Sequence, residues 1–374
     1  MNDNKILITF VMGTRPEIIK LAPLITLFKK NAIFLVRVVL TGQHLEMAED
    51  LLKLFEINED LNLKIMKSNQ SLTHITSSVI NGLKDEFMEY HPKLLFIQGD
   101  TSTAFAASLA AFFDKIPIAH IEAGLRTLDL LNPFPEEANR RLISQISSLH
   151  FAPTKKAFLN LQKSGIKDNC FITGNTVIDS IKLLQSKNLE KRQSFFNKFK
   201  ENKLILVTIH RRENWGKRLD SILDTLNLIV QRHKNITLLL PMHKNQILRS
   251  KIENNLGNNP QILLTEPLPY SEFIEALTSC YFIMTDSGGI QEEAPSFGKP
   301  VLILRESTER KEAIDCGAAI LVNNDSVKIL EVVNKLINNR KFYESMQVDN
   351  NPFGDGNACN KIMKHTLNFL SKED

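Results

Sequence analysis

The sequence predicts an α/β protein made of two doubly wound domains with a ligand cleft between them, and three observations carry that expectation. The 374 residues exceed one ordinary domain. Short apolar runs alternate with longer amphipathic segments, the pattern of strand, helix, strand units feeding a parallel sheet. Nearly every apolar run ends in a polar or charged cluster, and open parallel sheets bind ligands beyond the carboxyl ends of their strands. A composition of 43% hydrophobic and 24% charged residues, with 15 Gly and 14 Pro, excludes a disordered, collagen-like or disulfide-scaffold chain.

The first apolar run, 6–12, reads as a buried strand and not a secretion signal, because it runs into Thr14, Arg15, Pro16 and Glu17 without a small-residue cleavage pattern. Further strands are expected at 34–40, 94–98, 116–121 and 149–152, with helices at 17–30, 72–90 and 103–113. A second series follows the Lys-rich stretch 186–202: strands at 204–209, 236–240, 261–264, 282–285 and 301–304, and helices at 219–232, 270–278, 289–297 and 326–338. The first domain is therefore assigned residues 1–174 and the second 175–356, with a last helix at 357–371 packing back on the first. The longest later apolar stretch, 105–113, is too short to cross a bilayer.

Lys and Arg outnumber Asp and Glu by 46 to 42, a net charge of +4 with no long basic block. This balance demands neither nucleic acid nor a membrane surface and suits an anionic small molecule. Cys170, Cys280, Cys316 and Cys359 are far apart and form no CxxC pair, as expected of reduced thiols in a cytoplasmic protein.

The strand-end clusters hold the candidate chemistry. Gly13-Thr14-Arg15-Pro16-Glu17 is a strand-to-helix turn that places Arg15, with Lys20 one turn on, near a positive helix end, although it is no Walker A loop. Asp286-Ser287-Gly288-Gly289 reads as a helix N-terminus where Ser287 caps and the glycines let backbone N–H groups approach an anion, with Glu293 two turns along the helix. No GxGxxG follows a strand, so the usual dinucleotide fingerprint is missing. Asp100, Glu122 and Glu136 are acids at one sheet edge, an arrangement that splits pKa values and supplies an acid and a base; Glu137 would point elsewhere on a helix. His210, at a strand end beside Arg211 and Arg212, suits phosphate contact or proton transfer. His120 reads as a core histidine, and no ligand spacing suggests a metal.

Taken in order, GTRPE at Gly13, GDTST at Gly99, HIEAGLRT at His120, PEEANRR at Pro135, HRREN at His210 and DSGGIQEEAP at Asp286 resemble the non-hydrolysing UDP-N-acetylglucosamine 2-epimerases. Gly174 to Asp179 and Thr308 to Glu312 extend the resemblance over essentially the whole chain. It implies two Rossmann-like domains in a GT-B-like architecture, acting as a homodimer without a cofactor. Arg15, His210, Ser287, Gly288, Gly289, Glu293 and Arg310 would contact nucleotide or diphosphate, with Phe273 near the uracil. Asp100, Glu122 and Glu136 match the catalytic carboxylates and Lys20 the active-site lysine, with His210 joining the catalytic set.

The implied reaction converts UDP-N-acetylglucosamine reversibly to UDP-N-acetylmannosamine, for surface polysaccharide synthesis, through loss of UDP to 2-acetamidoglucal and re-addition. The resemblance also matches Gln43, His44, Arg211 and His243 to a candidate activator site, where Leu45 in place of Arg, and the residues around Asn69, depart from the family pattern. Phe134 stands where Trp is common. A hydrolysing epimerase and a GT-B glycosyltransferase are the alternatives. Pro16 in the first loop speaks against the former, and the set of strand-end acids against the latter.

Overall fold

The computed structural model describes residues 5–42, 45–67, 70–127, 129–186, 202–211 and 214–372. The chain divides into two compact units, Met1–Leu183 with Phe353–Asp374, and Leu184–Pro352. The first contains β1 (Ile6–Met12), α1 (Arg15–Lys30), β2 (Phe34–Leu40), α2 (Leu45–Phe55), β3 (Leu61–Asn62), α3 (Leu72–Tyr90), β4 (Leu94–Gln98), α4 (Ser102–Phe113), β5 (Ile118–Ile121), α5 (Glu136–Ile146), β6 (Leu149–Ala152), α6 (Lys155–Lys163) and β7 (Cys170–Ile172). The division falls inside α7 (Thr176–Ser186), later than the boundary expected at residue 174.

The second unit contains β8 (Lys203–Thr208), α8 (Lys217–Arg232), β9 (Ile236–Pro241), α9 (Gln246–Leu256), β10 (Ile262–Thr265), α10 (Tyr270–Ser279), β11 (Phe282–Thr285), α11 (Gly288–Glu293), β12 (Val301–Ile303), α12 (Lys311–Asp315), β13 (Ala319–Leu321), α13 (Ser326–Asn338) and α14 (Arg340–Ser345). The last helix, α15 (Ala358–Leu370), belongs to the first unit: the Asp179 carboxylate accepts from the Ala358 and Cys359 amides, and the His365 ring stacks on Phe171 at 3.7 Å.

Both sheets are wholly parallel, in the orders β3-β2-β1-β4-β5-β6-β7 and β10-β9-β8-β11-β12-β13. Strand order reverses direction between β1 and β4 and again between β8 and β11, the two topological switch points where such sheets bind ligands. The central strands are buried on both faces, which is why they read as unbroken apolar runs. Phe10 of β1 stacks on Phe96 of β4 at 4.6 Å, with Phe28 of α1 against both, so the first switch point rests on an aromatic core. Truncating such a buried ring to Ala costs about 3–5 kcal/mol. Helix starts follow local capping chemistry: the Thr101 hydroxyl accepts from the Ala104 amide, and the Asn245 and Asp325 side chains accept from the first turns of α9 and α13. No helix among the described residues is long and apolar enough to cross a membrane.

Candidate active site

At the first switch point the chain supplies its own anion. Glu17 is fully buried in the first turn of α1 and accepts from the amides of Gly13 (3.0 Å) and Thr14 (2.7 Å) and from the Thr101 hydroxyl (2.7 Å). It thereby ties the loop after β1 to the loop after β4. Burial pushes its carboxyl above the ordinary value, partly offset by these hydrogen bonds. Gly13 permits the close approach: a Cβ there would stand 2.2 Å from the Thr41 hydroxyl.

The expected acids gather just beyond this point. Gln98 pairs with Ile121, so Asp100 and Glu122 leave neighbouring strands. Glu122 is buried and meets Lys20 Nζ at 2.7 Å through both oxygens; the Gln98 amide also donates to it, and the Asn175 amide donates at 3.4 Å. Its φ of 64° lies in the left-handed region, a strain of about 1–3 kcal/mol that these donors hold in place. Asn139 of α5 donates to the Asp100 carbonyl and Arg140 Nε to Asp100 Oδ2, both at 2.9 Å. Glu136 is half-buried and opens α5, the helix whose Asn139 and Arg140 bond Asp100. Glu137 is instead fully buried and accepts from the Thr127 amide, Arg140 and Arg141, an anchor for the loop that leads into α5.

The second switch point repeats the device. Thr208 pairs with Thr285, so His210 and Asp286 leave adjacent strands. Asp286 is fully buried, accepts from the amides of His210 (3.1 Å) and Arg211 (2.9 Å) and from the Asn214 side chain (2.9 Å), and lies 3.0 Å from His210 Nδ1. Burial pushes this carboxyl up, but the His210 contact, the Arg211 amide and Asn214 outweigh it and hold the group below its ordinary value. In both units, then, a buried carboxylate occupies the amides of the loop after the first strand. That loop is where a dinucleotide fold seats its pyrophosphate, and here its amides are already taken.

The start of α11 is the other strand-to-helix junction of the second unit that the sequence singles out. Ser287 is the N-cap residue, but its hydroxyl makes no capping bond, contrary to the expected cap; its own amide donates to the Thr285 hydroxyl at 2.9 Å. The helix ends at Glu293 and continues as the 3-10 turn Ala294–Phe297, shorter than the predicted 289–297, because Pro295 lacks the N–H that would extend it. Arg310 lies against Gly288, where a Cβ would stand 2.6 Å from its Cζ. Glu292 (2.7 Å) and Glu309 clamp its guanidinium, and Thr308 accepts from its amide (3.1 Å) while bonding Gln291 (2.7 Å). Despite burial, the charges of Arg310 and Arg305 hold the Glu309 carboxyl far below the usual range. At Gly289 a Cβ would meet only Glu293 Oε1 at 3.8 Å and Ser287 Oγ at 4.0 Å.

The remaining expected residues are more scattered. Arg15 opens α1 and is half-buried, and Phe273 lies half-buried in the first turn of α10. His243 is exposed after β9, where its Nδ1 accepts from the Asn245 amide at 3.0 Å; burial of part of the ring and the nearby His210 push its pKa down. Arg211 adds to the charge acting on Glu309. Gln43 and His44 lie outside the described residues. Sequence reasoning assigned no role to Glu17, Gln98, Arg140, Asn175 or Asp286. The Thr14-x-x-Glu17 capping box was readable locally, whereas the partners of Gln98, Asn175 and Asp286 become visible only in the folded chain.

His120 is a fully buried core residue whose Nε2 lies 2.8 Å from the Gly99 carbonyl, and His150 is its cross-strand partner. Burial pushes the two imidazoles down to about 3 and about 4. Below pH 6.5 the unfolded chain therefore binds protons that the folded chain refuses, and stability falls as pH drops toward those values, by up to about 1.4 kcal/mol per pH unit for each ring. Urea midpoints measured at pH 7.5, 6 and 5 should decline, with a shallower decline in His150→Gln. Equal slopes in the two proteins would refute this.

The family model for UDP-N-acetylglucosamine 2-epimerase matches residues 27–367. The Campylobacter jejuni UDP-N-acetylglucosamine 2-epimerase is 44% identical over 379 residues, which cover 98% of this chain and 97% of that protein. Among solved structures, the Neisseria meningitidis UDP-GlcNAc 2-epimerase bound to UDP-GlcNAc superimposes with a TM-score of 0.92 at 41% identity, covering 97% of this chain and 100% of that one. The S. aureus MnaA structure with UDP gives a TM-score of 0.92 at 39% identity, covering 98% and 97%.

Proposed function

The chain belongs to the UDP-N-acetylglucosamine 2-epimerase family, and we propose that it catalyses the non-hydrolysing, reversible interconversion of UDP-N-acetylglucosamine and UDP-N-acetylmannosamine. The observation that supports this reading is that Asp100 and Glu122 leave the paired strands β4 and β5, and that α5, which Glu136 opens, bonds Asp100 through Asn139 and Arg140. The C2 proton of the sugar has no adjacent carbonyl and is not acidic in the ground state. Breaking the C1–O bond leaves the electron pair on UDP and gives C1 cationic character, which acidifies C2. A carboxylate takes that proton as the C1=C2 double bond of 2-acetamidoglucal forms. Protonation of C2 on the opposite face and return of UDP oxygen to C1 complete the epimerisation. Several acids can serve two faces, and no cofactor enters the balance.

In this reading Arg15, His210, Arg310 and the Ser287-Gly288-Gly289 amides stabilise the departing diphosphate, Phe273 packs on the base, and Glu293 accepts from the ribose. Lys20 holds Glu122 in place. His243 and Arg211 belong to an activator subsite that Leu45 weakens. The protein works in the cytoplasm as a homodimer, feeding a surface polysaccharide. For the homodimer, support comes from exposed Met88, Phe112, Phe113 and Leu142 on the mutually packed helices α3, α4 and α5.

Proton NMR of UDP-N-acetylglucosamine incubated with the protein in heavy water tests the chemistry. The expected product is the nucleotide-linked manno sugar carrying deuterium at C2. Free N-acetylmannosamine would replace this reading with hydrolysis, and a manno product with undiminished protium at C2 would remove the elimination step.

A further inference from the structure

We propose that Asp286 is a positioning residue whose carboxylate accepts the Nδ1 proton of the His210 ring, so that Nε2, once it is protonated as well, is the N–H that the cationic ring donates to the leaving diphosphate. The proposal rests on the reading of His210 given above and adds a residue to it. The Asp286 oxygen lies 3.0 Å from Nδ1, and an ionised carboxylate can only accept, so Nδ1 must donate. The carboxylate cannot turn away, because the amides of His210 and Arg211 and the Asn214 side chain hold it. Asn214 is itself fully buried and fixed, donating to the Leu304 carbonyl at 3.1 Å and accepting from Asn324 at 3.0 Å. The support thus runs from β8 through Asp286 to the loop after β12.

The far edge of the ring is open, since the His210 side chain is 42% exposed while that of Asp286 is 0% exposed. The nearby charged and titratable groups are His243, which feels both His210 and Asp286, and Arg211, which faces Glu309. None of them is bonded to Nδ1 among the described contacts, so the tautomer is set by Asp286. A histidine held this way presents one defined nitrogen, and which nitrogen that is depends on the bond made by the other.

Asp286→Asn separates positioning from architecture. Its carbonyl oxygen can keep the Oδ2 contacts to the Arg211 amide and Asn214, while its NH2 stands where Oδ1 faced Nδ1. The proton should then move to Nε2. Nitrogen-15 spectra of the labelled full chain, assigned with His210→Gln, should show the Nδ1–H form of neutral His210 in the native protein and the Nε2–H form in Asp286→Asn. Turnover of UDP-N-acetylglucosamine should fall about 100-fold in kcat with a much smaller change in KM. In a His210→Gln background the same substitution should cost less than about threefold, because the two changes remove one function.

A loss that multiplies fully in that background, or an unchanged tautomer in Asp286→Asn, would overturn the proposal. Should the variant fail to fold, a native His210 carrying its proton on Nε2 overturns it without any variant. The tautomer is read in the absence of substrate. A native chain with the Nδ1–H form but no epimerase turnover would therefore count against the proposed reaction and leave the Asp286 contact standing.

Discussion

Glu136→Gln is expected to lower kcat for epimerisation by about 1000-fold while leaving the unfolding midpoint and UDP affinity close to native. The amide keeps the shape of the side chain and its place at the start of α5, but cannot carry a proton to or from C2. Glu122→Gln should lose as much turnover and differ in stability. Lys20 and Glu122 are both buried and 2.7 Å apart, so neutralising the carboxylate leaves the ammonium facing an amide away from water. Disrupting one side of a buried ion pair costs about 3–5 kcal/mol. Asp100 is a quarter exposed, and its variant should fall between the two in stability because Arg140 keeps Glu137 as a partner. Turnover followed by NMR, together with urea unfolding of the three variants, checks both parts. Native-like kcat in Glu136→Gln would take that residue out of proton transfer, and native-like stability in Glu122→Gln would mean the pair contributes nothing net.

The parts of this fold that were legible in the sequence are those where burial alone decides the residue types. β1, β4, β8 and β11 are buried on both faces, so they appear as apolar runs with sharp polar ends, and the ends carry the chemistry. β3, β7 and β13 escaped because they are two or three residues long and half-exposed at sheet margins, too short to show a period. α5 escaped for a different reason. Its buried residues are Glu137, Asn139, Arg140, Ile143 and Ser144, so its inner face is an ion-pair network and its sequence reads as a charged string.

The site shows the same division. Asp100, Glu122, His210 and the Ser287-Gly288-Gly289 run could be named because each follows a strand. Asp286 stood in the same motifs, but its role depends on amides of a loop that becomes adjacent only once β8 lies beside β11. The Thr101 contact of Glu17 likewise needs β1 beside β4, whereas its bonds to the Gly13 and Thr14 amides belong to a local capping box. Linear spacing does not show which strands lie side by side. The motif could suggest an anion seat at the first loop; the folded chain fills that seat with its own carboxylate.

Gly289→Ala is expected to weaken UDP binding about tenfold without destabilising the protein, and Gly289→Val to weaken it about 100-fold. The backbone at Gly289 does not lie in the left-handed region, and a Cβ would meet nothing nearer than 3.8 Å, so the folded chain has room for the methyl of Ala. In a helix Ala is favoured over Gly by roughly 1 kcal/mol, so the Ala variant should melt no lower than native and could melt higher. A diphosphate resting on these amides needs the backbone bare, because any Cβ pushes the anion away from donors worth about 1.5–3 kcal/mol each. Affinity and stability are thus predicted to move in opposite directions, which general damage to the fold cannot produce. Gly288 cannot give this test: a Cβ there would strike the Arg310 guanidinium at 2.6 Å and disturb its clamp with Glu292 and Glu309, so lost binding would have two causes. Calorimetric titration of the folded Gly289 variants with UDP is decisive. Native affinity in Gly289→Val would mean that the diphosphate does not rest on the start of α11, and Arg15, His210 and Arg310 would then have to hold it without the backbone.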